Sequence, residues 1–262
     1  MKKIAFIIGG SSGIGYECCK ELIEKGYKIY NGSRRNCELD NVNNIVVDVV
    51  NIDTIKKAVE LILNKENKID CFIYSAGFSM ASPIEGVDEV DYKYLFSVNL
   101  FGLIDSIKEI VPIMKKQGGG RIISISSIGG IIPIPYDAYY SSSKAAVDML
   151  IFNLNNELNR FNIYLTSVLP GGVRTSFTFK RKTYNNSLGY GDFENAVNSL
   201  AKIEQNGSYP NDIAKKVYQI IVKKNPPIIT TVGFKNKLTY AFEKVLSKKI
   251  ILKLVKKKFK QK

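Results

Sequence analysis

Tyr140 and Lys144 are the two side chains in this sequence best suited to moving a proton. They lie four residues apart, with three serines between them. In a helical segment both would occupy one face, with the ammonium close to the phenol. A nearby cation favours phenolate, and would lower the pKa of the tyrosine from its ordinary value of about 10 toward a useful acid–base range. The same spacing also arises by chance, so it predicts chemistry only together with other motifs.

The chain has 262 residues and contains no histidine. This excludes Ser-His-Asp and Cys-His catalysis and histidine-containing zinc sites, so proton transfer must use Tyr, Lys, Asp, Glu or Cys. The four cysteines, Cys18, Cys19, Cys37 and Cys71, form no C-x-x-C pair. We therefore expect no metal site and a reduced, cytoplasmic protein. No apolar run approaches the roughly 20 residues of a membrane span.

A glycine-rich turn from Gly9 to Gly15 directly follows the first apolar run, residues 4–8. Glycines permit a tight turn and let a pyrophosphate approach the backbone N–H groups at the start of a helix. The position after the first strand favours a dinucleotide site over a purely structural turn. The predicted cofactor contacts here are Gly10, Ser12, Gly13, Ile14 and Gly15.

Ser33, Arg34 and Arg35 follow the second predicted strand. Their hydroxyl and guanidinium donors suit a 2′-phosphate, and no acidic residue is present there to bind a 2′-hydroxyl. The sequence therefore predicts that NADP(H) is preferred over NAD(H). The alternative is that the two arginines belong to a solvated turn.

Short apolar runs alternate with helix-period segments along the chain. Strands are predicted at 4–8, 28–30, 45–47, 71–74, 121–125, 163–168 and 228–231, and helices at 15–25, 54–65, 92–116, 138–160 and 211–224. This alternation predicts an α/β fold, a single doubly wound Rossmann domain with a parallel sheet of about seven strands and helices on both faces. The catalytic domain is predicted to span 1–234, with the irregular stretch 175–209 as a substrate lid.

In this order the motifs resemble those of the short-chain dehydrogenase/reductase family, over roughly residues 3 to 232. The matching positions are the glycine turn, Asp48-Val49, Ser75-Ala76-Gly77, Asn99, Ser126-Ser127, Tyr140 with Lys144, and the run from Pro170 to Thr175. Two positions depart from the family pattern. Gly9 stands where the family usually has Thr, and Tyr74-Ser75 stands where it usually has two Asn. Both changes are expected to affect cofactor affinity or local hydrogen bonding.

The resemblance implies an NAD(P)-dependent oxidoreductase acting on CH–OH groups. Tyr140 would exchange a proton with the substrate oxygen, while Lys144 would lower its pKa and hold the nicotinamide ribose. Ser127 would hydrogen-bond the substrate oxygen, with Ser126 as its rival, and Asn99 would position a water. The other implied cofactor contacts are Asp48, Val49, Ser75, Ala76, Gly77, Pro170, Gly171, Val173 and Thr175.

Stretches 121–135 and 169–175 resemble one branch of that family, which includes 17β-hydroxysteroid, retinol and acyl-dihydroxyacetone-phosphate reductases. This resemblance implies a small hydrophobic ketone or aldehyde and its alcohol as substrates. The family resemblance also implies a homodimer or homotetramer. The alternative is a non-catalytic NADP-binding protein, or a membrane-associated scaffold, that retains the fold.

Residues 235–262 contain eleven lysines against Glu243 alone, so this segment carries +10 of the chain's net charge of +14. Ile251, Val255 and Phe259 recur at intervals of four, which predicts a basic amphipathic helix. Such a helix could lie on an anionic membrane surface, or pack its apolar stripe on its own domain or a subunit partner. Nucleic-acid binding is disfavoured because the charge is terminal and has little aromatic interleaving.

Overall fold

The computed structural model describes residues 2–184 and 189–259. Its strands in these ranges are β1 (Ile4–Ile8), β2 (Lys28–Ser33), β3 (Val42–Val46), β4 (Cys71–Tyr74), β5 (Met80–Ala81), β6 (Gly120–Ile125), β7 (Ile163–Leu169), β8 (Lys182–Thr183) and β9 (Ile229–Thr231). Seven of these described strands form one parallel sheet in the order β3-β2-β1-β4-β6-β7-β9, and β5 pairs with β8 separately.

The helices within the same ranges are α1 (Gly13–Glu24), α2 (Ile52–Glu66), α3 (Glu89–Phe96), α4 (Gly102–Lys116), α5 (Ala138–Leu158), α6 (Phe193–Gln205), α7 (Pro210–Ile221), α8 (Phe234–Val245) and α9 (Lys248–Phe259). Local sequence explains several of their starts. The Asn51 side chain caps α2 by accepting a hydrogen bond from the Asp53 N–H at 3.1 Å. Pro210 is the first residue of α7, where its fixed φ suits a helix and its missing N–H costs nothing.

The central sheet has a packed helical layer on each face. Along β1, Ile4, Phe6 and Ile8 belong to one apolar cluster, which includes residues of α2, α4 and α5. Ala5 and Ile7 belong to the other cluster, which includes residues of α1 and α7. This alternation follows from the two-residue period of a strand. The predicted doubly wound parallel sheet is confirmed.

The strand order reverses between β1 and β4, because β2 and β3 lie to one side and β6, β7 and β9 to the other. Crevices at the carboxyl ends of strands flanking such a point are the usual ligand sites of doubly wound sheets. The turns that follow β1 and β4 lie there, and they carry the glycine turn and Ser75-Ala76-Gly77.

Three segments differ from the sequence prediction. The predicted helix 92–116 is α3 and α4 joined by a π-helical turn, Ser97–Phe101. The predicted irregular lid 175–209 contains the whole of α6, and its residues 185–188 lie outside the described residues. The predicted single tail helix is two helices, α8 and α9, separated at Leu246 and Ser247, while 260–262 also lie outside. None of the helices that the structure describes combines the length and apolar character needed to cross a bilayer.

Candidate active site

A continuous cavity of about 740 Å³ lies at the carboxyl ends of β1, β4 and β6. The turns after β1 and β2 line one end, and α6, α8 and α9 line the other. The predicted site residues that line it are Ser12, Gly13, Ile14, Ser33, Arg34, Arg35, Asp48, Val49, Ser75, Ala76, Gly77, Ser127, Tyr140, Lys144, Pro170, Gly171, Val173 and Thr175. One space therefore joins the predicted dinucleotide contacts to the predicted proton donor.

Gly10 and Gly15 shape the glycine turn from behind rather than lining the cavity. The Gly10 N–H donates to the Asn31 side-chain oxygen at 2.9 Å, which ties the turn to β2. A Cβ atom added to Gly15 would lie 2.2 Å from the Gly9 carbonyl oxygen, so only glycine lets α1 start this close to the turn. The sequence did not identify Asn31, whose role depends on the contact between β1 and β2.

Gly9, the first departure from the family pattern, has a structural explanation. Its φ is +88°, and an added Cβ would lie 2.7 Å from the Ala76 backbone nitrogen and 2.8 Å from the Ser75 carbonyl carbon. A threonine could not adopt this conformation without strain or occupy this space. The two departures therefore meet at one contact, where the turn after β1 packs against the backbone of Ser75-Ala76.

Arg34 and Arg35 are exposed at the rim of the cavity, directly after β2. Arg34 donates to the Tyr94 hydroxyl at 3.3 Å. The Ser33 hydroxyl donates to the Asn31 side-chain oxygen at 2.8 Å, so Ser33 supports the turn as well as lining the cavity. Two guanidinium groups at this end can bind an anion such as a phosphate.

Tyr140 and Lys144 lie on one face of α5, as predicted, and both are buried, with 8% and 4% of their surfaces exposed. The Lys144 Nζ atom lies 5.7 Å from the centre of the Tyr140 ring. That nitrogen donates to the Ile125 carbonyl at 2.9 Å, at the end of β6. The phenol faces the apolar end of the cavity, since its ring lies 5.9 Å from that of Phe177.

Asn99 sits in the π-helical turn and is held by three hydrogen bonds. Its side-chain oxygen accepts from the Phe78 N–H at 3.1 Å, and its amide donates to the Phe78 carbonyl and the Ser143 hydroxyl, both at 3.0 Å. A Cβ added to Gly77 would lie 3.0 Å from the Asn99 oxygen and 3.5 Å from Lys144 Nζ. Asn99 therefore lies behind Gly77, close to Lys144, and outside the cavity lining.

The pKa values of this pair differ from the sequence prediction. Burial, reinforced by the charge of Asp137, raises the pKa of Tyr140 above its ordinary value, although a hydrogen bond from Ser127 lowers it in part. Burial lowers the pKa of Lys144 to about 8, and Asp148 partly opposes this shift. The predicted lowering of the tyrosine pKa by Lys144 is therefore not observed, because burial and the charge of Asp137 raise this pKa instead. At neutral pH the phenol carries its proton.

The two rival serines have different partners. Ser127 hydrogen-bonds the Tyr140 side chain and also accepts from the Gly129 N–H at 3.0 Å. Ser126 donates to the Lys144 carbonyl at 3.3 Å. Burial raises the pKa of Asp148 to about 6, and a hydrogen bond from Ser126 is one of the influences that oppose this shift. Ser127 thus faces the phenol, and Ser126 faces the body of α5.

The distal end of the cavity is lined by residues that were not among the predicted site residues. Its apolar lining comprises Ile132, Ile134, Phe177, Leu200, Ile203, Phe242, Leu246, Ile251, Leu254, Val255 and Phe259. Charged residues also line it, among them Asp137, Arg181 and Glu204. They come from separate loops and from α6, so the sequence carried no local signal for their convergence.

The basic tail packs one face on its own domain. Ile251, Val255 and Phe259 of α9 are buried in a cluster with Ala196 and Leu200 of α6. The side opposite this stripe is mainly lysine, and Ile250, Leu252 and Leu254 are exposed apolar residues between the lysines. Of the predicted alternatives, packing within the chain is therefore observed.

Comparisons with known proteins agree with this geometry. The family model described as short chain dehydrogenase matches residues 3–185. The 3-ketodihydrosphingosine reductase of Bacteroides thetaiotaomicron is 35% identical over 236 residues, covering 88% of both chains. The NADPH-dependent 1-acyldihydroxyacetone phosphate reductase of Saccharomyces cerevisiae is 30% identical over 245 residues, covering 87% of this chain and 81% of the yeast protein. A solved short-chain dehydrogenase from Streptomyces avermitilis matches with a TM-score of 0.83 at 23% identity, over 94% of this chain and 93% of its own.

Proposed function

The chain belongs to the short-chain dehydrogenase/reductase family of nicotinamide-dependent oxidoreductases that act on CH–OH groups, and we propose that it is an NADPH-dependent reductase of a hydrophobic ketone or aldehyde. The observation that carries this proposal is that one cavity contains both the predicted cofactor contacts and the predicted proton donor. It joins exposed arginines at one end to a buried, protonated Tyr140 and an apolar compartment at the other.

The residues at the arginine end fit NADP(H). The start of α1 presents Ser12 and Gly13 to the cavity, where backbone N–H groups suit a diphosphate. Arg34 and Arg35 would bind the 2′-phosphate, and Asp48-Val49 would flank the adenine. Lys144 would hold the nicotinamide ribose, and Thr175 and Val173 the carboxamide. When bound, the cofactor supplies the hydride for the carbonyl carbon.

Tyr140 is proposed to give its proton to the carbonyl oxygen as the hydride arrives. Its raised pKa keeps the phenol protonated at neutral pH, which suits a proton donor in the direction of reduction. Ser127 would hold the carbonyl oxygen through its hydroxyl, a fixed dipole aimed at developing charge. Asn99, fixed behind Gly77, would place a water from which Lys144 and Tyr140 recover the proton.

Lipid ketones are the proposed substrates. The distal lining is apolar over residues from α6, α8 and α9, so an alkyl chain could bury its methylenes there. The names of the two curated relatives also describe reductases of keto lipids. Neither the apolar lining nor the names of these relatives depends on the residues that we propose bind the cofactor.

Consumption of NADPH with ketones of increasing chain length tests this proposal. We expect kcat/KM to rise with chain length and to exceed that for acetone by about a hundredfold or more, since each buried methylene contributes about 0.8 kcal/mol. Purified protein that binds NADPH but oxidises none with any ketone would instead favour the non-catalytic alternative.

We also propose that α8 and α9 contact an anionic membrane surface while the rest of the protein stays in the cytoplasm. Val245 of α8 and Ile250 and Leu252 of α9 are exposed apolar residues beside lysines and lie outside the cavity lining. Exposed apolar residues among lysines suit an anionic interface, where each lysine contributes about 1 kcal/mol. The four cysteines are all free, which supports a reducing compartment.

Flotation with phosphatidylglycerol vesicles tests the membrane contact. We expect the variant with Lys253, Lys256 and Lys257 all changed to Glu to lose binding. Its matched control changes Lys20, Lys56 and Lys57, exposed on α1 and α2, to Glu, with the same change in net charge. Equal loss in both variants would show that total charge, and not the lysines of α9, drives binding.

A homodimer or homotetramer is proposed on the exposed apolar residues of α5. Met149 and Phe152 lie one turn apart there, and each leaves more than half of its side-chain surface exposed, at 58% and 51%. An apolar pair of this kind suits a subunit interface. Light scattering of Phe152→Asp should give a smaller mass than the unchanged protein, and an unchanged mass would exclude α5 as the interface.

A further inference from the structure

Asp148 is a buried acid that the proposed reaction does not use. It lies on α5, one helical turn after Lys144, and only 6% of its surface is exposed. Its oxygen Oδ1 accepts a hydrogen bond from the Ser167 hydroxyl of β7. Burying a carboxylate is costly unless hydrogen-bond donors and a nearby cation stabilise its charge. The groups around Asp148 therefore decide whether it can stay ionised.

The hydroxyl donors around Asp148 stabilise its charge only in part. The Ser126 hydroxyl, directly after β6, has one proton to share between two acceptors. It donates to the Lys144 carbonyl at 3.3 Å, and a hydrogen bond from the same serine is one of the influences that lower the pKa of Asp148. While that proton lies on the Lys144 carbonyl, Asp148 Oδ2 has no donor among the described residues. The remaining stabilisation must come from a cation.

Gly130 closes the space beside this carboxyl group. It ends the short helical turn Ile128–Gly130 that follows β6. A Cβ atom added to Gly130 would lie 2.9 Å from Asp148 Oδ2 and 3.0 Å from the Lys144 carbonyl carbon. The backbone of this turn therefore packs directly on the side of α5 that carries Lys144 and Asp148, and it keeps the carboxyl group away from bulk water.

Lys144 and Asp148 each stabilise the charge of the other. Burial lowers the pKa of Lys144 to about 8, and the charge of Asp148 opposes this shift. Burial raises the pKa of Asp148 to about 6, and the charge of Lys144 opposes that shift together with Ser167 and Ser126. Between these two pH values both groups are ionised, so the buried region around them is close to neutral overall.

The other ionisable groups in this part of the protein act on Tyr140. Asp137, Arg181 and Glu204 all shift the pKa of the phenol, whereas the charge that shifts the pKa of Lys144 is that of Asp148. Tyr140 itself is uncharged at neutral pH. The polar groups that β7, the end of β6 and the π-helical turn place near the pair do not titrate, and they are Ser167, Ser126 and Asn99.

Building on the proposed reductase function, we propose that Asp148 is a positioning residue, whose carboxylate, fixed by Ser126 and Ser167, supplies the countercharge that keeps the buried Lys144 side chain an ammonium. The ammonium can then hold the nicotinamide ribose at neutral pH. Asp148 itself touches neither cofactor nor substrate, since it lies outside the cavity lining. The two rival serines are thereby assigned separate tasks, Ser126 at this carboxylate and Ser127 at the reacting phenol.

The NMR resonance of the Lys144 Cε atom tests this inference without any reaction. It is recorded on the full-length protein without added cofactor and assigned as the lysine resonance absent from Lys144→Arg. We expect Asp148→Asn, which keeps the shape and removes the charge, to move its titration midpoint to lower pH by about one unit or more, as loss of an adjacent opposite charge does. Glu157→Gln is the matched control, because Glu157 is an exposed acid on the same helix. An unmoved midpoint, or an equal shift in the control, would overturn the inference and leave the proposed reductase intact.

NADPH binding across pH separates this role from a purely structural one. We expect the Kd of Asp148→Asn to match that of the unchanged protein near pH 6 and to be about three- to fivefold higher at pH 8, because Lys144 loses its proton at lower pH in the variant. A loss of equal size at every pH would indicate a packing role and overturn the inference. If the unchanged protein binds no NADPH at any pH, the proposed reductase function fails, while the lysine titration still decides whether Asp148 stabilises the charge of Lys144.

A second variant covers the case in which Asp148→Asn fails to fold. Because the coupling between two charges is reciprocal, Lys144→Gln should raise the titration midpoint of Asp148 by the same amount. The midpoint is followed on the aspartate Cγ resonance that titrates near pH 6 in the unchanged protein. Lys253→Gln, at an exposed lysine of α9, is the control. An aspartate midpoint that is the same in Lys144→Gln and in the unchanged protein would contradict the shared countercharge.

Discussion

The two ends of the cavity are built in different ways. We call the end lined by Arg34 and Arg35 the cofactor end, and the apolar distal end the substrate end. At the cofactor end, Ser12 and the arginine pair lie in short turns that directly follow β1 and β2, and Gly13 begins α1. At the substrate end, Asp137, Arg181, Glu204 and the C-terminal helices come from separate parts of the chain. The first end depends on local sequence, whereas the second depends on how distant segments pack. Substitutions should therefore affect cofactor use and substrate choice separately.

Removing the Tyr140 hydroxyl should have the largest effect, because this group lies where the two ends meet. Tyr140→Phe keeps the ring against Phe177 but removes the proton donor, so we expect kcat to fall by about a hundred- to ten-thousandfold. Steady-state kinetics with a long-chain ketone measure this loss. NADPH affinity, measured by fluorescence, should stay close to that of the unchanged protein. Substantial remaining turnover would refute the acid–base assignment.

Arg34→Ala should damage the cofactor end alone. We expect kcat/KM for NADPH to fall by about ten- to a hundredfold, because a charge-assisted phosphate contact is lost. The value for NADH should change little. Lys28→Ala, at the start of β2 and outside the cavity lining, is the control. Equal losses for NADPH and NADH would refute a role in binding a 2′-phosphate.

Val255→Ala should damage the substrate end alone. Val255 is buried in the α6–α9 contact and lines the cavity, so its truncation removes apolar contact with an alkyl chain. We expect KM for a long-chain ketone to rise about three- to tenfold, while KM for NADPH is unchanged. Val245→Ala is the matched control, because it makes the same truncation at a residue that is 77% exposed. An equal effect from both changes would argue against α9 as a cavity wall.

The smallest expected effect is a change of NADPH affinity with pH. Burial lowers the pKa of Lys144 to about 8, so its ammonium is present below this pH and is lost above it. If Lys144 holds the nicotinamide ribose, the Kd for NADPH should rise severalfold as pH increases through 8. Lys144→Arg stays charged and should show no inflection there. The same inflection in that variant would assign it to another group.

The sequence predicted the parallel sheet with its flanking helices and most of the cavity lining at the cofactor end, because each of those features is local. Strands β1, β4 and β6 were located by their apolar runs, and the glycine turn by its spacing. Gly10, Gly15 and Asn99 were harder to place. Whether a residue faces the cavity or supports it from behind depends on contacts with Asn31, Phe78 and Ser143.

The substrate end escaped prediction for physical reasons. Helix α6 has buried positions at Phe193, Ala196 and Leu200, but it lies beside a polar stretch and is covered by the tail and by the loop before α5, both distant in sequence. The π-helical turn depends on the tertiary hydrogen bonds of Asn99. The pKa of Tyr140 depends on burial and on Asp137, and neither effect can be derived from the four-residue spacing to Lys144.

Deuterium transfer tests the central claim most directly. NADPH carrying deuterium at the transferred C4 position should be incubated with the protein and a long-chain ketone, and the product alcohol analysed by mass spectrometry. We predict one deuterium on the carbinol carbon, with far less of this labelled alcohol formed by Tyr140→Phe. An unlabelled product, or no alcohol while the cofactor remains bound, would contradict the account of this cavity as a site of hydride transfer to an apolar ketone.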